Sequence, residues 1–119
     1  MMRGIRGAIT VVKNSKHDIL SATVRLLAEM IHANQVKAPD IASIIFSATR
    51  DLNAEFPARA AREIGLNQAP LMCTVEINVP KSLRKCIRIL MHVNSQKKQG
   101  GIRHIYLEGA KSLRKEFSS

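Results

Sequence analysis

Two charged residues, Glu76 and Arg88, stand inside stretches of the sequence that otherwise alternate like buried β-strands. A charge in such a place is costly unless a partner compensates it. A structural Glu–Arg ion pair would provide that compensation. Arginine also carries its charge at all relevant pH values and offers a rigid fork of donors suited to carboxylates. The pair is therefore either structural or part of a site for an anionic molecule.

The other residues that could contribute to chemistry are mostly arginines. They are Arg6 and Arg62, with Arg59 and Arg114 as further candidates, and the phenol of Tyr106. A solvated basic surface is the simpler explanation for Arg59 and Arg62. Together with the glutamate, such groups would bind a multi-anionic small molecule and stabilise charge. The sequence has no GxSxG, P-loop or HExxH motif and no histidine pair at metal-ligand spacing, so it predicts neither a nucleophile nor a metal site.

The elements that must position these groups follow from the hydrophobic pattern. Apolar residues at helical spacing predict helices, and alternation rich in β-branched residues predicts strands. We expect strands over 3–12, 41–49, 71–79, 86–93 and 102–108, and helices over 16–33 and 58–64.

Four local features refine this prediction. The strand Leu71–Val79 has one apolar face, which we expect to be buried, and Pro80 closes it. The strand Ile41–Thr49 is apolar enough to be buried on both faces. Asn34 is expected to end the first helix in a left-handed conformation. Residues Lys81–Lys85 are expected to form about one helical turn.

Length and composition limit the possible domain organisation and location of the protein. A chain of 119 residues forms a single domain, residues 1–119, with a modest core and a short basic tail at about 109–119. No apolar stretch approaches the roughly 18 residues that span a bilayer, and the N-terminus does not have the pattern of a signal peptide. Cys73 and Cys86 make neither a disulfide framework nor a zinc site. We therefore expect a cytoplasmic protein that does not bind membranes.

The charge is uneven along the chain. Residues 81–119 carry ten Lys and Arg against two acidic residues, whereas residues 1–80 carry nine against seven. Such a basic segment indicates an anionic partner, which could be nucleic acid, a membrane surface or a small polyanion. The net charge alone does not choose among them.

Six blocks of the sequence, in order, resemble the bacterial, barrel-type, homotrimeric chorismate mutases. The resemblance spans residues 1–114, with one or two residues missing near Leu66–Pro70. The blocks are Arg3-Gly4-Ile5-Arg6-Gly7-Ala8, Ser47-Ala48-Thr49-x-Asp51-Leu52, Phe56-Pro57-Ala58-Arg59-Ala60-x-Arg62-Glu63, Cys73-x-x-Glu76, Leu83-x-Lys85-Cys86-Ile87-Arg88 and Arg103-His104-x-Tyr106-Leu107-Glu108. Six ordered blocks are far more specific than any single motif.

The resemblance implies an activity and a set of roles. The family converts chorismate to prephenate by a Claisen rearrangement, with no cofactor, metal or covalent intermediate, in the biosynthesis of phenylalanine and tyrosine. By this analogy, Arg88 faces the ether oxygen of the substrate and one of its carboxylates. Arg6 and Tyr106 hold the same end, and Glu76 accepts a hydrogen bond from the ring hydroxyl. Cys73 serves that hydroxyl through its backbone or its thiol.

The resemblance also implies a substrate-binding set and a fold. The binding residues are Phe56, Ala58, Arg59, Arg62, Cys73, Thr74, Leu113 and Arg114. The fold is an α+β domain with a mixed sheet of about five strands backed by helices, assembled as a trimeric pseudo α/β-barrel. Two alternatives remain: a non-enzymatic, basic nucleic-acid-binding protein, and an inactive ligand-binding trimer on the same scaffold. The scattered aromatic residues do not favour nucleic acid.

Strand parity raises a separate question about Cys73 and Glu76. Residues three apart on a regular strand point to opposite faces, yet the resemblance assigns both to the substrate hydroxyl. A bulge between them, a backbone role for Cys73, or a strand that serves two pockets at a subunit boundary would each resolve the conflict. We favour the third and expect each pocket of a trimer to be built from two chains.

Overall fold

The computed structural model describes residues 1–114, which form a five-stranded mixed sheet with helices packed on one face. The strands stand in the spatial order β3-β2-β4-β1-β5. Their bounds are β1 Met2–Thr10, β2 Ile41–Ala48, β3 Leu71–Val75, β4 Cys86–Asn94 and β5 Ile105–Leu107. The helices are α1, Lys16–Ala33, and α2, Arg59–Glu63, with 3-10 turns at Ala38–Asp40, Gln99–Gly101 and Glu108–Leu113. The predicted α+β class and five-stranded mixed sheet are confirmed.

Strand β4 is the centre of the sheet. It pairs antiparallel with β1 on one side and with β2 on the other, and the outer strands β5 and β3 pair parallel with β1 and β2. Parallel neighbours need a crossover, which the helical connections provide. β4 is therefore the middle strand, with two strands on each side of it.

Helix α1 covers one face of the sheet. Ser15 caps its N-terminus by accepting a hydrogen bond from the Asp18 amide at 3.1 Å. The apolar stripe of α1 packs on alternate residues of the strands, and all of the following are at most 3% exposed: Ile5, Ile9, Leu26, Leu27, Met30, Ile44, Phe46, Ile87 and Ile89. Burying each such side chain contributes about 1.5–3 kcal/mol. This layer is the hydrophobic core.

The close contact between α1 and β1 depends on one glycine. A Cβ added at Gly7 would clash with the sulfur of Met30 and lie 3.1 Å from a methyl group of Leu26. The helix therefore reaches the sheet at a point where the strand has no side chain.

The predicted strand 71–79 is wrong in its second half. Strand β3 ends at Val75, and the apolar side chains that were expected to be buried are exposed: Val75 by 63%, Ile77 by 84% and Val79 by 55%. β3 is an edge strand that pairs with β2 only as far as Ala48. Beyond that point no other strand of residues 1–114 lies beside the chain, and alternation alone could not reveal this.

Four smaller expectations also differ from the structure. Residues Lys81–Lys85 form no helical turn, because Lys81 and Lys85 have positive φ angles of 67° and 47°. The left-handed residue after α1 is Gln35, with φ of 53°, while Asn34 has φ of −107°. The predicted last strand, 102–108, shortens to Ile105–Leu107. Strand β2 is buried on one face and only half-buried on the other, so its predicted double burial does not hold within one chain.

Candidate active site

Arg88 projects from the middle of the sheet on the face that the helices leave uncovered. Along β4, Ile87 and Ile89 pack into the core under α1, and Arg88 between them points to the opposite side. Its neighbours across the strands are Ala8 on β1 and Ser47 on β2. Both are small, which leaves room beside the guanidinium group.

Tyr106 and Arg6 come to the same face through the parallel pairing of β5 with β1. Ala8 lies opposite Arg88 on one side and opposite Tyr106 on the other. Arg6 is two residues before Ala8, so it shares this face. The ring of Tyr106 is 6% exposed and packs in a small cluster with Ala8, Cys86, Ala110 and Leu113. The structure thus groups Arg6, Arg88, Tyr106 and Leu113.

The amide of Arg6 donates a hydrogen bond to Nδ1 of His104 at 2.9 Å. Burial and the positive charge of Arg6 lower the pKa of His104. Both effects favour the neutral imidazole, whose Nδ1 is then free to accept. His104 therefore extends the contact between β1 and the chain just before β5 by one hydrogen bond.

Glu76 completes this group and forms an ion pair with Arg88. Its Oε1 lies 3.4 Å from Nε of Arg88, and the two side chains are 25% and 36% exposed. The Nε–H of Arg88 is buried, yet within residues 1–114 it has no hydrogen-bond partner. A buried donor of this kind normally finds an acceptor. The ion pair suggested by the sequence is therefore present, and the Arg88 side chain remains partly exposed on the uncovered face.

A cleft of about 490 Å³ adjoins Glu76 and is bordered by basic residues. Arg50, Lys81 and Arg84 line it, and all three are exposed. Positive groups around a cleft raise the local concentration of anions. Asp51 and Glu76 also line the cleft, so its lining has three basic residues against two acidic ones, a small excess of positive charge beside Glu76.

A second group of predicted residues lies on the other side of β3. Cys73 pairs with Phe46, so its side chain points towards the helical layer, where it packs against the core together with Ala58. Phe56, 68% exposed, and Thr74 line the same cleft as Cys73. Thr74 pairs with Ser47, which is the β2 neighbour of Arg88, and so stands on the Arg88 face.

The parity expected from the sequence is therefore present. Pairing of β3 with β2 proceeds residue by residue from Leu71 to Val75, with no bulge in that stretch. Cys73 points to the helical face, whereas Glu76 reaches Arg88 on the opposite face. One of the three explanations, a bulge between the two residues inside the strand, is removed.

The two arginines of α2 lie with the second group. Arg59 stands 3.7 Å from a carboxylate oxygen of Glu55, and Arg62 donates to the carbonyl of Leu66 at 2.7 Å. Both are exposed. Arg114 is the last described residue and is also exposed, at the end of the turn that carries Leu113. The remainder of the predicted basic tail, residues 115–119, lies outside the described residues.

The thiols are unsuited to nucleophilic chemistry. Burial raises the pKa of Cys73, and it raises the pKa of Cys86 to about 11. Both cysteines are free and protonated at neutral pH. Within the described part of the chain, no three His, Cys, Asp or Glu side chains cluster closely enough to hold a metal ion. The same residues include no helix with the length and apolar character needed to span a bilayer.

Comparison of the chain with protein families identifies one that matches almost its whole length. The family described as chorismate mutase type I matches residues 2–117. The chain belongs to this family. The resemblance found in the six sequence blocks is thereby confirmed.

Individual type I chorismate mutases are similar over nearly the whole chain. Chorismate mutase AroH of Bacillus subtilis (strain 168) is 44% identical over 119 residues, which cover 99% of this chain and 94% of that protein. Chorismate mutase AroH of Thermus thermophilus is 43% identical over 120 residues, covering 100% and 98%. The solved structure of a chorismate mutase from Clostridium thermocellum (Cth-682) is 52% identical and has a TM-score of 0.91, covering 92% of this chain and 98% of that one.

Proposed function

We propose that this protein is a chorismate mutase that converts chorismate to prephenate in the biosynthesis of phenylalanine and tyrosine. Family membership supports the reaction, and one structural observation supports the site. This is the ion pair of Glu76 and Arg88 on the uncovered face of the sheet, where Nε of Arg88 lies 3.4 Å from the Glu76 carboxylate and the Arg88 side chain is 36% exposed. A charged donor in this position is suited to an oxygen that gains negative charge during the reaction.

The reaction needs restraint and charge stabilisation rather than a nucleophile. Chorismate carries two carboxylates, and its ether C–O bond breaks ahead of C–C bond formation, so negative charge grows on the ether oxygen. In our proposal, Arg88 donates to this oxygen and to one carboxylate. Arg6 and Tyr106 hold the same end of the substrate, and Glu76 accepts from the ring hydroxyl. Holding the chain in a reactive conformer supplies the remaining rate enhancement.

We further propose a homotrimer whose pockets each contain residues from two chains. The two groups of site residues face different sides of β3, with Arg88 and Glu76 on one side and Cys73 and Ala58 on the other. The edge between them is apolar and exposed at Met72, Val75, Ile77 and Val79. A second copy covering this edge would bring Phe56, Cys73 and α2 of one chain against Arg88 of the next. Closed cyclic assembly buries the same edge in every subunit.

The observed burial of the aromatic residues disfavours the nucleic-acid alternative. Phe46 is fully buried and Tyr106 is 6% exposed, so within residues 1–114 only Phe56 could stack on a base. Single-strand binding uses aromatic platforms among basic residues. We also expect a cytoplasmic location, in agreement with two free cysteines.

The direct test is to mix the purified protein with chorismate and follow the loss of chorismate absorbance together with the formation of prephenate. We expect turnover without any added metal or cofactor. Binding of chorismate without turnover would instead support the inactive ligand-binding trimer. A sub-micromolar complex with a labelled oligonucleotide near physiological salt, without turnover, would support the nucleic-acid reading.

The shared pocket is tested by complementation between two inactive variants. Glu76→Ala removes a residue of the first group, and Arg62→Ala removes one from the opposite wall. After the chains are unfolded together and refolded, about a quarter of the pockets in random trimers are wild type at both positions. Activity should therefore return to roughly that fraction. The controls are each variant refolded alone. If verified mixed trimers remain inactive, each site lies within a single chain.

A further inference from the structure

The irregular segment 76–85 is fastened at both ends to the end of β2. At its start, the amide of Glu76 donates to the carbonyl of Ala48 at 2.9 Å. At its other end, Thr49 and Cys86 exchange two hydrogen bonds: the Thr49 amide donates to the Cys86 carbonyl at 3.0 Å, and the Cys86 amide donates to Oγ1 of Thr49 at 3.0 Å. Glu76 is thus attached at Ala48, and Cys86, two residues before Arg88, is attached at the next residue, Thr49.

The carboxylate of Asp51 extends this connection. It accepts a hydrogen bond from the Thr49 hydroxyl group at 2.5 Å. Its two oxygens also accept from the Lys85 amide, at 3.1 and 3.0 Å. Because the Thr49 hydroxyl donates to Asp51, its lone pairs are directed at the Cys86 amide. The two side chains therefore work as one unit, which we call the Thr49–Asp51 clamp.

The clamp acts at a backbone position that needs support. Lys85 has a φ angle of 47°, which a residue with a Cβ adopts only when its surroundings hold it there. Its carbonyl also accepts from the Val11 amide at 2.7 Å, so the same residue joins the end of β1 to the start of β4. Three residues later stands Arg88. Any change in the direction of the chain at Lys85 moves the start of β4 and, with it, the guanidinium group.

We propose that Thr49 and Asp51 are positioning residues that set the orientation of Arg88 relative to Glu76. The inference rests on the proposed function, since it concerns the use of Arg88 in the reaction. Among residues 1–114, the hydrogen bonds of these two side chains go to each other and to the backbone of Lys85 and Cys86, through which they act on Arg88. The family resemblance includes residues 47–52 but assigns no function to Thr49 or Asp51, and their hydrogen bonds indicate this positioning role.

A purely structural role and a positioning role predict different results in a double-mutant cycle. Asp51→Asn removes the charge and one acceptor oxygen while keeping the size of the side chain. If the clamp orients Arg88, Asp51→Asn should lower kcat by roughly tenfold in the wild-type background, and KM should change much less. In an Arg88→Lys background, where the fork is already lost, the same substitution should lower kcat by no more than about twofold.

Two matched controls separate positioning from general destabilisation. Asp40→Asn makes the same charge change just before β2, whereas Asp51 follows this strand; it should leave kcat unchanged. Thr49→Ser keeps the hydroxyl and should retain wild-type kcat to within about threefold, whereas Thr49→Val should resemble Asp51→Asn. Thermal melting followed by circular dichroism confirms that each variant is folded at the assay temperature.

The outcomes distinguish this inference from the function on which it rests. Loss of kcat in the wild-type background, with little effect in the Arg88→Lys background and rescue by Thr49→Ser, supports the clamp. The inference is overturned if kcat falls by the same factor in both backgrounds, or if only the melting temperature falls and kcat does not change. Either result leaves the chorismate mutase assignment intact. If the wild-type protein does not convert chorismate, the assignment fails and the inference fails with it.

Discussion

The two faces of the sheet are built from the same strands and have opposite properties. On β4, Ile87, Ile89 and Met91 are at most 3% exposed under the helices, while Arg88, Leu90 and His92 alternate with them on a half-buried face that carries the polar groups. The covered face buries apolar area and holds the fold together. The open face carries the ion pair of Glu76 and Arg88. A period of two thus lets one strand stabilise the domain and present chemistry without mixing the two tasks.

The comparison implies that stability and activity should respond to different substitutions. The covered face contains close-packed side chains whose loss leaves a cavity. The open face contains charges that are partly solvated, whose removal costs the fold little. Substitutions matched in size but placed on opposite faces can therefore test the separation.

Substitution of Arg88 is expected to have the largest effect on catalysis, and Arg88→Lys is its conservative form. Lysine keeps the positive charge but loses the planar fork and the Nε donor that lies against Glu76. Removing one donor of this kind typically costs about 2.7–4 kcal/mol, or 10²–10³ in rate. We expect the loss in kcat, measured with saturating chorismate. A rise in KM with unchanged kcat would mean that Arg88 binds the ground state and the transition state equally.

The second effect belongs to the covered face. Leu27 on α1 is fully buried against the sheet, and Leu27→Ala should lower the free energy of unfolding by about 2–5 kcal/mol. Urea unfolding followed by circular dichroism measures this. Well below the unfolding midpoint, kcat per folded molecule should stay within a few-fold of wild type. A hundred-fold loss of kcat in a folded Leu27→Ala protein would show that the two faces are not independent.

The smallest effect concerns the basic approach to the open face. If Arg50, Lys81 and Arg84 attract the dianionic substrate, kcat/KM should fall as salt increases, with kcat nearly constant. Between about 0.01 M and 1 M salt, the screening length decreases from about 30 Å to about 3 Å. Lys81→Gln combined with Arg84→Gln should reduce this salt dependence, whereas Lys37→Gln with Lys98→Gln should not. A salt-independent kcat/KM would show that these charges do not steer the substrate.

Much of the fold was predictable because the residues that fix it act locally. The apolar stripe of α1, its Ser15 cap and the alternation in β4 gave the correct elements within a few residues. The end of β3 was not predictable, because Val75, Ile77 and Val79 have the pattern of a buried strand and only the absence of a neighbouring strand exposes them. The irregular segment 81–85 likewise depends on contacts with Thr49 and Asp51 that are distant in sequence.

The candidate site was predictable to a similar extent. Glu76 and Arg88 stood out by themselves, as charges on apolar strands, and the structure pairs them. The roles of Arg6 and Tyr106 came from the family resemblance, and their common face required the pairing of β1 with β5. The clamp escaped sequence analysis because threonine and aspartate after a strand are ordinary turn residues.

The most direct test of the account is the kcat of Arg88→Ala relative to wild type, measured with protein shown to be folded by circular dichroism. The account predicts a loss greater than that of Arg88→Lys, and therefore more than about 10²–10³-fold, with the melting temperature nearly unchanged. An Arg88→Ala protein that keeps more than about a tenth of the wild-type kcat would contradict it, because the guanidinium group beside Glu76 could not then be the main stabiliser of the transition state.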